Sequence, residues 1–203
     1  MLSSDLRWSH HMNKIILEVS KRAGLLRLMA RDLPSSVIIK LYLYYLRPSV
    51  EYASPCWCGS ISSSHAMALE RIQASVARCV LRASWMTAKS ALLAKLDWPS
   101  LRWRRDIAAV TLLHSLLQDR REPFMNCLFE SSKTRSSRKP HQLLFPHAST
   151  TRFLNSFFYH SALLWNSLPH SIQTITSKPA FRIAVKDHWS TFKYRTDTHV
   201  LSV

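Results

Sequence analysis

Only two glycines, Gly24 and Gly59, occur among 203 residues. Glycine enters left-handed backbone without strain, so tight hairpins and phosphate-cradling loops depend on it. Its scarcity excludes the GxGxxG and Walker A patterns and favours helices over hairpin-rich sheets. The hydrophobic share of 47% is enough to bury a core. That length suits one larger domain or two small ones. No apolar run reaches the roughly 18 residues of a membrane-spanning helix. The first residues lack the apolar core of a signal peptide, and Asp5, Glu18 and Asp32 argue against a transit peptide.

The second constraint is charge. The 28 Lys and Arg outnumber the 12 Asp and Glu, for a net charge of +16. Such a balance attracts polyanions, and nucleic acid is the expected partner, ahead of an anionic membrane surface. The last third, residues 131–203, carries 10 basic and 2 acidic residues. Cys56, Cys58, Cys79 and Cys127 do not have zinc-ligand spacing, so reduced, partly buried thiols of an intracellular protein are expected.

Apolar periodicity predicts a helix over residues 8–31, with Trp8, His11, Ile15, Val19, Leu25 or Leu26 and Met29 inward. "SSVIIKLYLYYL" at 35–46 is apolar nearly all round and reads as a buried helix, with Pro34 in its first turn. "RPSVEYASPCWCGS" reads as a kinked or short helix and a turn. The helix after Ser62–Ser64 shows Arg71, Arg78 and Arg82 on one basic face. Thr87 is the expected cap of a short helix. "WPSLRWRRDIAAVTLLHSLLQDR" follows, with Arg102, Arg104 and Arg105 where the helix dipole favours anions instead. That misplacement points to an external anion. Residues 130–150 read as a basic linker. "QLLFP" and "TRFLNSF" suit short strands. Residues 156–167 and 178–193 read as helices, the second with Ser177 as cap and Pro179 in its first turn. Trp103, Trp165 and Trp189 are expected to pack.

Catalytic signals are weak. No Asp-Asp or Asp-x-Asp pair occurs to hold the metal ions of a polymerase or nuclease. Asp97 and Asp106 read as helix-end or ion-pair residues. The ten histidines stand without a serine or cysteine elbow. His160, Ser161 and His170 have no acidic partner in the tail closer than Asp187 and Asp197. In "YHSALLWNSLPHSI", Asn166 or Ser167 is the expected cap of the next turn. No catalytic residue, metal site or cofactor is expected.

The residues carry a family resemblance. Leu6, Trp8, His11, Lys21–Arg27, Leu41, Tyr42, Arg47, Pro48, Glu51, Tyr52 and Trp57 match a block "L-x-W-x-x-H … L-Y-x-x-x-x-R-P-x-L-E-Y-x-x-x-x-W". "LERIQASVARCVL", "LDWPSLRWRRDIAAVTLLHSLL" and "FLNSFFYHSALLWNSLPHSI" match three further blocks in order. This pattern resembles the thumb and downstream region of non-LTR (LINE-type) retrotransposon reverse transcriptases, across nearly the whole chain. The resemblance implies a helical thumb that lies on template–primer backbone. The family's palm aspartates find no matching position here. It also implies a nuclear or cytoplasmic location.

The expected architecture is therefore mainly α: a thumb-like helical bundle over 1–129, a basic linker over 130–150 and a small helical tail over 151–203, with room for a short β-hairpin. The expected function is non-catalytic, sequence-independent binding of RNA or DNA, with no small-molecule substrate and no membrane. Candidate phosphate contacts are Lys21, Arg22, Arg71, Arg78, Arg102, Arg104, Arg105, Arg135, Arg138 and Lys139. The rival readings are polymerase action with a separate palm as partner, a helical protein-interaction remnant, and a functionless fragment with "SVIIKLYLYYL" exposed.

Overall fold

The computed structural model describes residues 8–118, Leu143 and residues 150–196. It is mainly helical, with no strand among the described residues. Most of the expected linker lies outside them. Two compact units form. One gathers residues 8–54, 61–104 and 193–196, and the other residues 55–60, 105–118, 143 and 150–192. These limits differ from those expected at 129 and 150.

The first unit begins with α1 (Ser9–Met29), which buries Met12, Val19, Ala23 and Leu26. That seam, against α5 (Ser63–Leu81), is rotated from the expected one toward the small Ala23. Met29, expected inside, is 41% exposed. Next come α2 (Ser35–Leu41), a π-helical turn (Tyr42–Leu46) and α3 (Arg47–Glu51) as one continuous rod, with Pro34 capping it from outside. The rod buries Ile38, Tyr42, Leu46 and Val50, each four residues after the last. In a pure α-helix, four-residue steps drift by roughly 40° each around the axis. The wider i→i+5 turn rotates the other way and holds all four on one side. Its outer side stays in water: Tyr44 is 79% exposed, so this segment is not buried all round as expected.

Ser62 caps α5 by accepting from the His65 amide, as expected. α6 (Lys89–Leu96) starts after Ala88, not from a Thr87 cap. With so few glycines, left-handed turn positions fall to other residues: Ala53, Arg82 and Asp97 have φ of 49°, 48° and 52°. Asp97 ends α6 and accepts from Lys193 Nζ at 2.6 Å and from the Tyr194 hydroxyl. Those two hydrogen bonds hold its carboxyl below the ordinary value.

The next helix is α7 (Leu101–Gln118). Its start belongs to the first unit and the rest to the second. Ser100 Oγ accepts from the Trp103 amide. The buried Glu70 carboxylate accepts from the amides of Leu101 and Arg102, at 3.3 and 2.8 Å. Gln73 Nε2 donates to Pro99 O at 3.0 Å. Tyr42 stacks on Trp98, ring centres 4.0 Å apart.

The second unit includes Trp57, at the end of α4 (Ser54–Trp57). It continues through α8 (Thr151–Leu154), α9 (Phe157–Asn166), α10 (His170–Gln173) and α11 (Lys178–His188). The segment "TRFL", read as a strand from sequence, is helical because Thr150 caps it. Trp57, Trp165, Phe181 and Trp189 fill the core, with Phe181 stacked on Trp165 at 5.7 Å. Asn166 does not cap the next turn. Its side chain accepts from Leu143 N and donates to Leu143 O, both at 2.9 Å.

The two glycines have opposite surroundings. A Cβ on Gly24 would meet nothing closer than Arg27 Nη2 at 3.8 Å. One on Gly59 would lie 2.8 Å from Asn155 O and 3.0 Å from Ser156 O, both backbone. Gly24→Ala should therefore stabilise the chain by about 1 kcal/mol. Gly59→Ala should destabilise it by about 1–3 kcal/mol. Denaturant midpoints of the two variants check both signs.

Candidate nucleic-acid interface

The expected phosphate contacts separate into two groups. Lys21 on α1 and Arg71 on α5 are exposed to solvent. Several of the others turn inward. Arg22 Nη1 donates to Ser49 Oγ at 2.5 Å, and its guanidinium lies 4.8 Å over the Tyr45 ring. Arg78 donates to Ser84 O and Thr87 O, both at 3.2 Å. Arg102 is half-buried, its amide held by Glu70. Arg104 grips Glu51 through two donors, with Nη2 to Oε2 at 2.8 Å. Arg105 is 3% exposed, lies 5.8 Å over Trp57, and its Nη1 has no hydrogen-bond partner. A guanidinium this buried does not reach a phosphate, which removes Arg105 from the set. Arg135, Arg138 and Lys139 lie outside the described residues.

Of the three arginines at the start of α7, Arg104 answers to an internal anion, Glu51, and Arg105 lies over the Trp57 ring. Their clash with the helix dipole, which in sequence points to an external anion, has an internal answer. Glu70 instead supplies the missing negative charge at the helix start, from 31 residues away, and Glu51 neutralises Arg104. Neither is adjacent in sequence, so no local pattern could reveal them.

Three acids are used inside. Glu51 is half-buried, and Glu70 and Asp106 are buried. Among its described residues the first unit exposes Lys14, Lys21, Arg27, Arg31, Lys40, Arg71, Arg82, Lys95 and Arg195, against Glu18, Asp32 and Asp97. Between Glu70 and Asp97 the chain has five cations and no acid. The described surface of this unit, nine exposed cations to three exposed acids, is therefore more one-sided than the 28 to 12 of the whole chain.

Two of the histidines, His114 and His160, are core residues, whereas His170 is exposed. His114 Nε2 sits 2.7 Å from Ile175 O, and its ring stacks on Phe181 at 4.1 Å. His160 Nε2 lies 3.2 Å from Asp106 Oδ1. It does have an acidic partner, on α7 rather than in the tail. Burial works to lower the His160 pKa. The hydrogen bond to Asp106, aided by the Cys58 thiol, outweighs it and holds the pKa at about 10. No cluster able to hold a metal forms among the described residues.

No family model, curated protein or solved structure matches the chain.

A histidine with a raised folded-state pKa stabilises in full below its unfolded value, about 6.5, and loses that contribution as pH rises to about 10. His160→Ala leaves Asp106 buried without its partner. At pH 6 it should cost about 3 kcal/mol, the order expected for breaking a buried pair. Urea denaturation across pH should show the gap between variant and parent narrowing from pH 6.5 to 10. A gap that widens with rising pH contradicts the assignment.

Proposed function

We propose that this chain is a non-catalytic nucleic-acid-binding module corresponding to the thumb and downstream region of a non-LTR reverse transcriptase. It grips RNA or DNA through the sugar-phosphate backbone, without reading sequence. The observation that carries this reading is the mutual pairing of the resembling blocks. Glu51 of the first block grips Arg104 of the third. Glu70 and Gln73 of the second hold the start of the third. Tyr42 of the first stacks on Trp98 of the third. These residues form one packed joint, so they support treating the blocks as parts of one inherited unit.

The joint also supports binding without chemistry. Glu51, Glu70 and Asp106 have internal partners, and the sequence contains no paired aspartates. Positioning a template–primer requires exposed cations, not metal-binding carboxylates. The exposed contacts are Lys21 and Arg71, joined by the exposed Arg27 and Arg31 of the same unit. Arg104 and Arg105 contribute by holding the fold.

Replacing Lys21, Arg27, Arg31 and Arg71 together by Gln should leave the thermal midpoint within a few degrees. It should flatten the dependence of log K on log salt by about 1 for each phosphate that is no longer neutralised. Fluorescence anisotropy with a generic RNA–DNA duplex over a salt series measures this. An unchanged slope removes these four residues from the interface. Absence of binding by the parent chain favours the protein-interaction reading.

A further inference from the structure

One side chain breaks the pattern set by the other aromatics. Of seven tryptophans, Trp57, Trp98, Trp103, Trp165 and Trp189 are buried and Trp8 is half-buried. Trp85 is 78% exposed, and its neighbour Met86 is 76% exposed. They stand at the tip of the turn between α5 and α6. A large ring left in water on a slack loop would collapse onto the nearest apolar surface. This turn is braced instead. Arg78 donates to Ser84 O and Thr87 O, spanning the tip from both sides. The Thr87 amide donates to Ser84 O at 3.1 Å, and the Met86 amide to Ser84 Oγ at 3.3 Å. At the foot of the turn, Arg82 takes the left-handed conformation usually given to glycine, with φ of 48°. A strained backbone that presents a cation and an aromatic ring is the kind of feature that accompanies binding.

We propose that Trp85 is a stacking finger for an unpaired base of single-stranded RNA or DNA, with Arg82 at its foot meeting the adjoining phosphate. This rests on the nucleic-acid reading above and adds a preference for unpaired nucleotides. Charge complementarity selects the occupant. Residues 71–96 carry Arg71, Arg78, Arg82, Lys89 and Lys95 and no acid. One ring is the unit that a base requires, because every base has a π face. A bilayer requires more than that: stable anchoring takes two membrane signals, and the helices on either side of this turn put their apolar residues inward, among them Val80, Leu92 and Leu93.

The test uses the whole chain, a single-stranded oligonucleotide, a blunt duplex of the same sequence, and vesicles containing phosphatidylserine. Trp85→Ala should weaken single-strand binding by about 5- to 100-fold, the range for removing one base stack, and leave the salt slope and duplex binding unchanged. Trp85→Phe should retain most of the affinity. Tryptophan fluorescence should be quenched by the single strand in the parent chain, and not in Trp85→Phe. Equal single-strand affinities for the parent and Trp85→Ala overturn the proposal while leaving backbone binding intact. Vesicle binding abolished by Trp85→Ala, without an oligonucleotide effect, overturns it in favour of a membrane contact. Binding of neither nucleic acid by the parent chain overturns both this proposal and the reading it rests on.

Discussion

A buried carboxylate at the head of a helix organises this protein. Glu70 has almost no solvent exposure, yet it accepts from two backbone amides that begin α7. A buried charge costs several kcal/mol unless it is hydrogen-bonded throughout, and the helix start offers both donors and a favourable dipole. The exchange is mutual. α7 opens with arginines at positions that repel its own dipole, and Glu70 and Glu51 offset that repulsion. Remove Glu70, and the start of α7 keeps only Ser100 Oγ as a side-chain acceptor and Gln73 as a hydrogen-bonded tie to α5.

The placement of these acids shapes the surface. A chain with few carboxylates commits several of them to internal joints with Arg104, the α7 amides and His160. What faces water is then mostly Lys and Arg. Cations placed inward have structural duties: Arg104 neutralises Glu51, and Arg78 braces the turn that presents Trp85. The same residue type holds the fold in one place and faces solvent in another, and burial tells the two apart.

Much of the local structure was legible in the sequence. Ser62 caps α5, and Trp103, Trp165 and Trp189 pack as tryptophans on helices usually do, while Ser177 stands before α11 without a side-chain cap bond. Helix content followed from the shortage of glycine. What escaped was tertiary pairing. The partners of Arg104, His160 and Asn166 lie 53, 54 and 23 residues away. The π-turn left a trace in the four-residue spacing of Ile38, Tyr42, Leu46 and Val50, which drifts around an unbroken α-helix. The exposed Trp85 had no such trace, because a ring on a braced turn and a ring in a core look alike in sequence.

Carboxyl footprinting of the folded chain, with carbodiimide and an amine read out by mass spectrometry, tests the division of acids most directly. Their burial requires that Glu70 and Asp106 resist labelling until the chain unfolds, while Glu18, Asp32 and Asp187 label at once. Labelling of Glu70 in the folded chain as fast as Glu18 would contradict it.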